Sequence, residues 1–274
     1  MWALQQSPPP PRPLRADTPI GLIAALLAMV GLATVLRAVG LLGDEAPRAA
    51  TLIAAQGTLL ATALAWGAAR GRDDRPACWP AAGAVALLAL AVLVGSRGGV
   101  AGLVYAGPVA WVFALAWRGH LPGLPLGGRV PVHALFVGLA VGTLLGAHVL
   151  LSALRTLGHR PHVDDLDRVV AALGYDVGAN VLAAECFFRG ALFERARRRW
   201  SFTVAVVVST GAALVRYLLD PLLPGALEIR VGAVFYLTLL GIANCVLLAR
   251  FGTLVPGYAG GIAFFTAYRL LGVR

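Results

Sequence analysis

Apolar runs of about twenty residues recur nine times along the chain, and most of the charge is confined to the short stretches between them. A run of that length crosses the ~30 Å hydrocarbon core of a bilayer as a helix. In lipid only helices and closed barrels satisfy every backbone donor and acceptor, and continuous rather than alternating apolar runs select the helix. The pattern predicts an all-α, polytopic membrane helix bundle of about 8–9 transmembrane helices. Charged residues are 13% of the chain, about half their share in soluble domains. The net charge of +10 is carried by arginine alone, because the sequence contains no lysine. Arginines in short loops between apolar runs serve membrane orientation. No basic patch interleaved with aromatics and no zinc-finger spacing accompanies them, so nucleic acid is excluded as a partner.

A Pro-rich segment, 1–18, is expected to form a cytoplasmic tail. The apolar run after it is too long for a signal-peptide core and reads as an uncleaved first span. Four spans follow within 19–117, at about 19–42, 49–69, 78–94 and 100–117. The Gly/Pro-rich linker 118–130 is the main expected boundary. Five further spans fall in 131–274, at about 131–154, 169–193, 201–219, 231–249 and 253–271. With the N-terminus inside, the inner segments hold twelve arginines and the outer ones eight, and the dense cluster Arg195 to Arg199 falls inside. That bias predicts a cytoplasmic N-terminus and a multi-pass protein of the bacterial inner membrane type.

The sixth span carries the chemistry. Glu185 and Arg189 stand i, i+4 inside an apolar helix, the acid first, which favours an ion pair. Ionisable groups at membrane depth mark either a site or an obligatory pair, and spacing alone leaves both open. Asp176 and Asn180 form a second i, i+4 pair. At about 100° per residue Asp176 lies about 180° from Glu185, so the two pairs are expected on opposite faces. Arg216 on the next helix needs an acidic partner, and Glu185 is the expected one. Asn244 is expected to act as interhelical hydrogen-bond glue. Cys186 beside Glu185 has no histidine after residue 162 to form its thiolate, and the three cysteines, Cys78, Cys186 and Cys245, read as packed thiols. His133, His148, His159 and His162 lack metal-ligand spacing, so no metal and no cofactor are expected.

The run Glu185-Cys186-Phe187-Phe188-Arg189-Gly190 with the arginine-rich turn after it resembles the first motif of the CPBP family, the CAAX-processing and bacteriocin-processing intramembrane proteases. A Ser-containing helix from Ser209, Leu240-Gly241, and Arg250-Phe251-Gly252-Thr253-Leu254 before a Pro-initiated helix follow in the family's order. The resemblance covers roughly 128–271 and makes 131–274 a CPBP-like membrane core. It implies that Glu185 and Arg189 are catalytic candidates, that Arg216 and Tyr217 are weaker ones, and that Cys186, Asn244 and Tyr258 line a substrate cavity. Three positions depart from the pattern. The family's first glutamate is Ala184 here, the histidine of its second motif falls at Tyr217, and the stretch 259–261 has no histidine. The family's glutamate and histidines activate water and stabilise an oxyanion, so these departures imply impaired or lost hydrolysis.

Three functions follow as expectations. One is a CPBP-like protein, derived from a CAAX-type protease, that binds a hydrophobic peptide or transmembrane segment within the lipid bilayer as a pseudoenzyme or assembly factor for a membrane protein partner. The second is an active, atypical glutamic intramembrane endopeptidase that processes a membrane protein or a C-terminal sorting signal. The third is a small transporter that uses the buried Glu and Arg charges as a relay.

Overall fold

A computed structural model describes residues 18–68, 78–95, 97–127, 130–156, 166–219 and 227–270. Most of the Pro-rich segment, the charged loop 70–75, the His159/His162 segment, and Asp220 with Pro221 lie outside the described residues. Among the described residues the chain is helical throughout, with no strand. Nine helices succeed one another: α1 (Ile20–Ala38), α2 (Glu45–Gly67), α3 (Trp79–Gly95), α4 (Gly99–Trp117), α5 (Val132–Thr156), α6 (Leu166–Arg197), α7 (Phe202–Leu218), α8 (Leu227–Phe251) and α9 (Val255–Arg269). Among the described residues six helices are long and apolar enough to cross a membrane, and α3 and α7 are shorter apolar helices. The architecture is the expected all-α bundle of an integral membrane protein.

Local chemistry sets the joints. Ser201 caps α7 by accepting from the Val204 amide at 3.4 Å, satisfying one of the free donors of the first turn. Gly252 turns the chain between α8 and α9 at φ 70°, a conformation that favours glycine. Pro256 stands in the first turn of α9, where its missing N–H loses nothing.

Helix α6 is the axis of the bundle. Gln56 of α2 donates to the Tyr175 hydroxyl at 2.9 Å, and Trp66 of α2 lies against Phe187. Ser209 of α7 donates to the Phe188 carbonyl at 2.7 Å, and Tyr258 of α9 to the Val177 carbonyl at 2.8 Å. One contiguous core joins Leu60, Leu88 and Val112 from the first four helices with Leu182, Phe193, Cys245 and Phe264 from the later ones. The described part of the linker, 118–127, is packed into it: Leu121, Leu124 and Leu126 are buried. The Gly123 amide bonds to Gly67 O, and the Leu254 amide bonds to Pro125 O, both at 2.8 Å.

Glycines let α5 and α9 touch backbone to backbone. Gly138, Gly142 and Gly146 lie one turn apart on α5, and a Cβ at Gly138 or Gly142 would run into the backbone of Pro256 or Gly260. Small residues spaced by four serve this close approach in membranes, where apolar side chains gain nothing over lipid. The contact holds α9 deep in the bundle, beside α6.

The geometry of α6 differs from the uniform helix the sequence suggested. Asp176–Val181 and Glu185–Phe193 are π-helical, separated by three α-helical residues. Such wide turns are uncommon and concentrate at functional or strained positions. Each π residue advances through less than 100°, so the angle between Asp176 and Glu185 falls short of the expected 180°. Both residues meet α9: Asp176 through Arg269, and Glu185 at Gly257. The opposite-face expectation is corrected on that account.

Candidate functional site

Two polar centres lie along α6. At the first, Glu185 and Arg189 are 5% and 4% exposed. The Arg189 Nε stands 3.7 Å from Glu185 Oε1, an ion pair longer than a hydrogen bond. Asn244 of α8 completes the contact, its Nδ2 donating to Glu185 Oε1 at 2.9 Å and to the Gly257 carbonyl at 3.3 Å. A single amide thereby ties α6, α8 and α9 together, the interhelical role expected of it. A Cβ on Gly257 would lie 3.1 Å from Glu185 Oε2, and one on Gly241 2.8 Å from Arg189 Nη2. Glycine at both positions makes room for the charged groups. Glu185 Oε2, Asn244 Oδ1, Arg189 Nε and Thr210 Oγ1 are buried with no hydrogen-bond partner among the described residues.

The second centre lies nine residues earlier on α6, at Asp176. Arg269 grips Asp176 with two hydrogen bonds, Nε to Oδ2 at 2.7 Å and Nη2 to Oδ1 at 2.9 Å. Asn180 donates to Asp176 Oδ1 at 3.0 Å and accepts from Arg216 Nη1 at 3.0 Å. The expected pairing of Arg216 with Glu185 is therefore corrected. Arg216 lies near the C-terminal end of α7, level with Asn180, more than a turn of α6 away from Glu185. Arg269 went unforeseen because a terminal arginine reads as a loop charge until α9 is placed against α6.

Beside Glu185 lies a cavity of about 10 Å³, the lower limit for one water molecule. Its wall takes Ala184, Glu185 and Arg189 from α6, Tyr217 from α7 and Gly261 from α9, closed by apolar neighbours such as Leu240 and Phe265. Glu185, Arg189 and Tyr217 thus come together, and Tyr217 is also stacked on Phe265 at 5.7 Å. Cys186, Asn244 and Tyr258, expected as cavity-lining residues, are absent from this wall. Cys186 follows Glu185 on the helix and points into the core, where it is 1% exposed. Tyr258 is turned to α4 and α6, with its ring 6.2 Å from Phe113. Asn244 reaches Glu185 from the α8 side.

The described histidines, His120, His133 and His148, stand elsewhere. His120 packs on Trp79, His133 on Phe251, and His148 bonds Tyr236 at 2.7 Å. Among the described residues no group of three or more His, Cys, Asp or Glu side chains is placed to hold a metal ion. Cys186 and Cys245 are buried thiols outside any disulfide, and Cys78 is exposed. Chemically, the first centre offers one carboxylate, one guanidinium and one phenol around the volume of a single water. A carboxylate there is able to accept a proton, but among the described residues no second carboxylate or imidazole lines the cavity.

No protein-family model matches the chain, and no curated protein and no solved structure matches it either.

Proposed function

We propose that the chain is a CPBP-like intramembrane protein built on the frame of a CAAX-type protease, which binds a hydrophobic peptide or transmembrane segment and has impaired or lost hydrolysis. One observation carries the reading. The positions at which the sequence departs from the CPBP pattern, Ala184, Tyr217 and the 259–261 stretch through Gly261, come from three helices and line the same small cavity with Glu185 and Arg189. A shared ancestry of the site accounts for that convergence. The chemistry now present accounts for the loss: a methyl, a phenol and a hydrogen replace a carboxylate and two imidazoles. General-base catalysis contributes about 10²–10⁴ in rate and oxyanion donors about 10²–10³. The Arg195–Arg199 end faces the cytoplasm of a bacterial inner membrane in this reading.

The test is cleavage of a panel of fluorogenic transmembrane peptides by the purified chain in proteoliposomes, beside photo-crosslinking from benzoylphenylalanine at Leu237 in the cavity wall. Crosslinks to a peptide, with turnover no higher than for Glu185→Gln, support the reading. Turnover that vanishes in Glu185→Gln makes the chain an active protease instead. An absence of any crosslink above that of a soluble control peptide removes the binding half of the proposal.

A relay is the second reading, favoured by the succession of Asp176, Asn180, Glu185 and Arg189 along one interior helix. Proton flux across the proteoliposome that Glu185→Gln abolishes would establish it.

A further inference from the structure

The Arg195–Arg199 end of α6 is more than an orientation signal. Four arginines, Arg195, Arg197, Arg198 and Arg199, stand within five residues, and among the described residues Glu194 is the one acid at this end of the bundle. The arginines are held differently from one another. The Arg195 guanidinium carbon lies over the Trp66 ring, 4.0 Å from its centre, a cation–π contact that anchors it to α2. Arg198 stands 3.6 Å from Glu194, and Arg199 is exposed. Arg197 is half-buried beside the Phe202 ring, 5.9 Å from its centre, and its Nη1 is buried without a hydrogen-bond partner among the described residues.

Aromatic side chains mark the water boundary at the same level. Trp200 is 53% exposed directly after the arginines, and Trp117 at the end of α4 is 92% exposed. Tryptophans of this kind sit among lipid headgroups. The arginines are therefore at phosphate height, where a cluster directly following a membrane helix attracts anionic lipid. A guanidinium also matches a phosphate by paired hydrogen bonds.

We propose that Arg197, Arg198 and Arg199, with Trp200 at the boundary, form a headgroup site for an anionic phospholipid. The phosphate bridges Arg197 and Arg199, with Arg198 beside them in contact with Glu194. The site is separate from the Glu185 centre and does not rest on the function proposed above.

Native mass spectrometry of the full chain released from detergent, after titration with phosphatidylglycerol or phosphatidylcholine, tests it. Phosphatidylglycerol should be retained in preference, and the triple substitution Arg197→Gln, Arg198→Gln, Arg199→Gln should lower its retention about tenfold. Arg155→Gln with Arg230→Gln, at the opposite end, should leave it unchanged. Equal retention of the two lipids, or an unaffected triple variant, overturns the proposal. Displacement of the lipid by millimolar inorganic phosphate also overturns it, because a soluble phosphorylated ligand would then be the true occupant. Should the triple variant lose its helical circular dichroism, Arg197→Lys keeps the charge but not the planar fork. That variant should still weaken the phosphatidylglycerol preference, and no change in it refutes the site.

Discussion

Asn244 reaches Glu185 across the α6–α8 interface, its Nδ2 standing 2.9 Å from the carboxylate Oε1 while it also approaches the Gly257 carbonyl at 3.3 Å. The Arg189 guanidinium, four residues from Glu185, stands farther off at 3.7 Å. The amide of another helix therefore holds the acid more closely than its own helical partner does.

Asn244→Leu removes that donor and leaves a buried carboxylate with Arg189 alone. Hydrogen bonds to charged groups are worth about 1.5–3 kcal/mol, and a loss of that order is expected in reversible detergent unfolding. A stability equal to the parent's would mean that the amide contributes nothing to holding α8.

Glu185→Ala and Arg189→Ala each strand one buried charge, with an expected loss of about 3–5 kcal/mol. The double substitution should lose less than the sum of the two, because neither charge is then left unpaired. Strict additivity in the unfolding cycle would show that the 3.7 Å pair is not energetically coupled.

Asp176→Asn should loosen the C-terminal end of α9, since Arg269 forfeits its charged two-point grip. Hydrogen exchange is the readout: faster exchange over the last turns of α9, with the turns around Gly257 unaffected. Uniform exchange along α9 would place the anchoring of this helix elsewhere.

Gly142→Ala puts a methyl into the backbone of Gly260, whereas Gly31→Ala on α1 meets nothing within 4 Å. The first should cost more than the roughly 1–3 kcal/mol of ordinary overpacking, because the obstacle is main chain. The second should be neutral or slightly stabilising, as alanine is the better helix former. Thermal aggregation of the two variants in one detergent separates them, and similar midpoints would contradict the close α5–α9 contact.

Much of the helical plan was legible in the chain itself. Each of the nine apolar runs became a helix, because length and hydropathy decide membrane insertion locally, segment by segment. Glu185 and Arg189 were legible for the same reason, being charges where charge is expensive. Their partners were not. Arg216 was expected on Glu185 and is bound to Asn180, and Arg269 was not expected at all, since pairing depends on which ends of which helices are level with each other.

The face of α6 was the deepest misreading. A regular helix sends Asp176 and Glu185 to opposite sides, and the π segment Asp176–Val181 between them narrows that angle, so that both meet α9. No periodicity in the sequence announces a widened turn, because it is stabilised by what the displaced side chains find around them. Composition and run length thus determined, without help, that this protein is a bundle of membrane helices with a charged pair buried in its sixth. Only the tertiary structure decided that the pair is shared with Asn244 and closed around the volume of one water. That outcome depends on backbone-to-backbone packing at Gly138 and Gly142, which carries α9 to Glu185 and is a property of two helices rather than of either sequence segment.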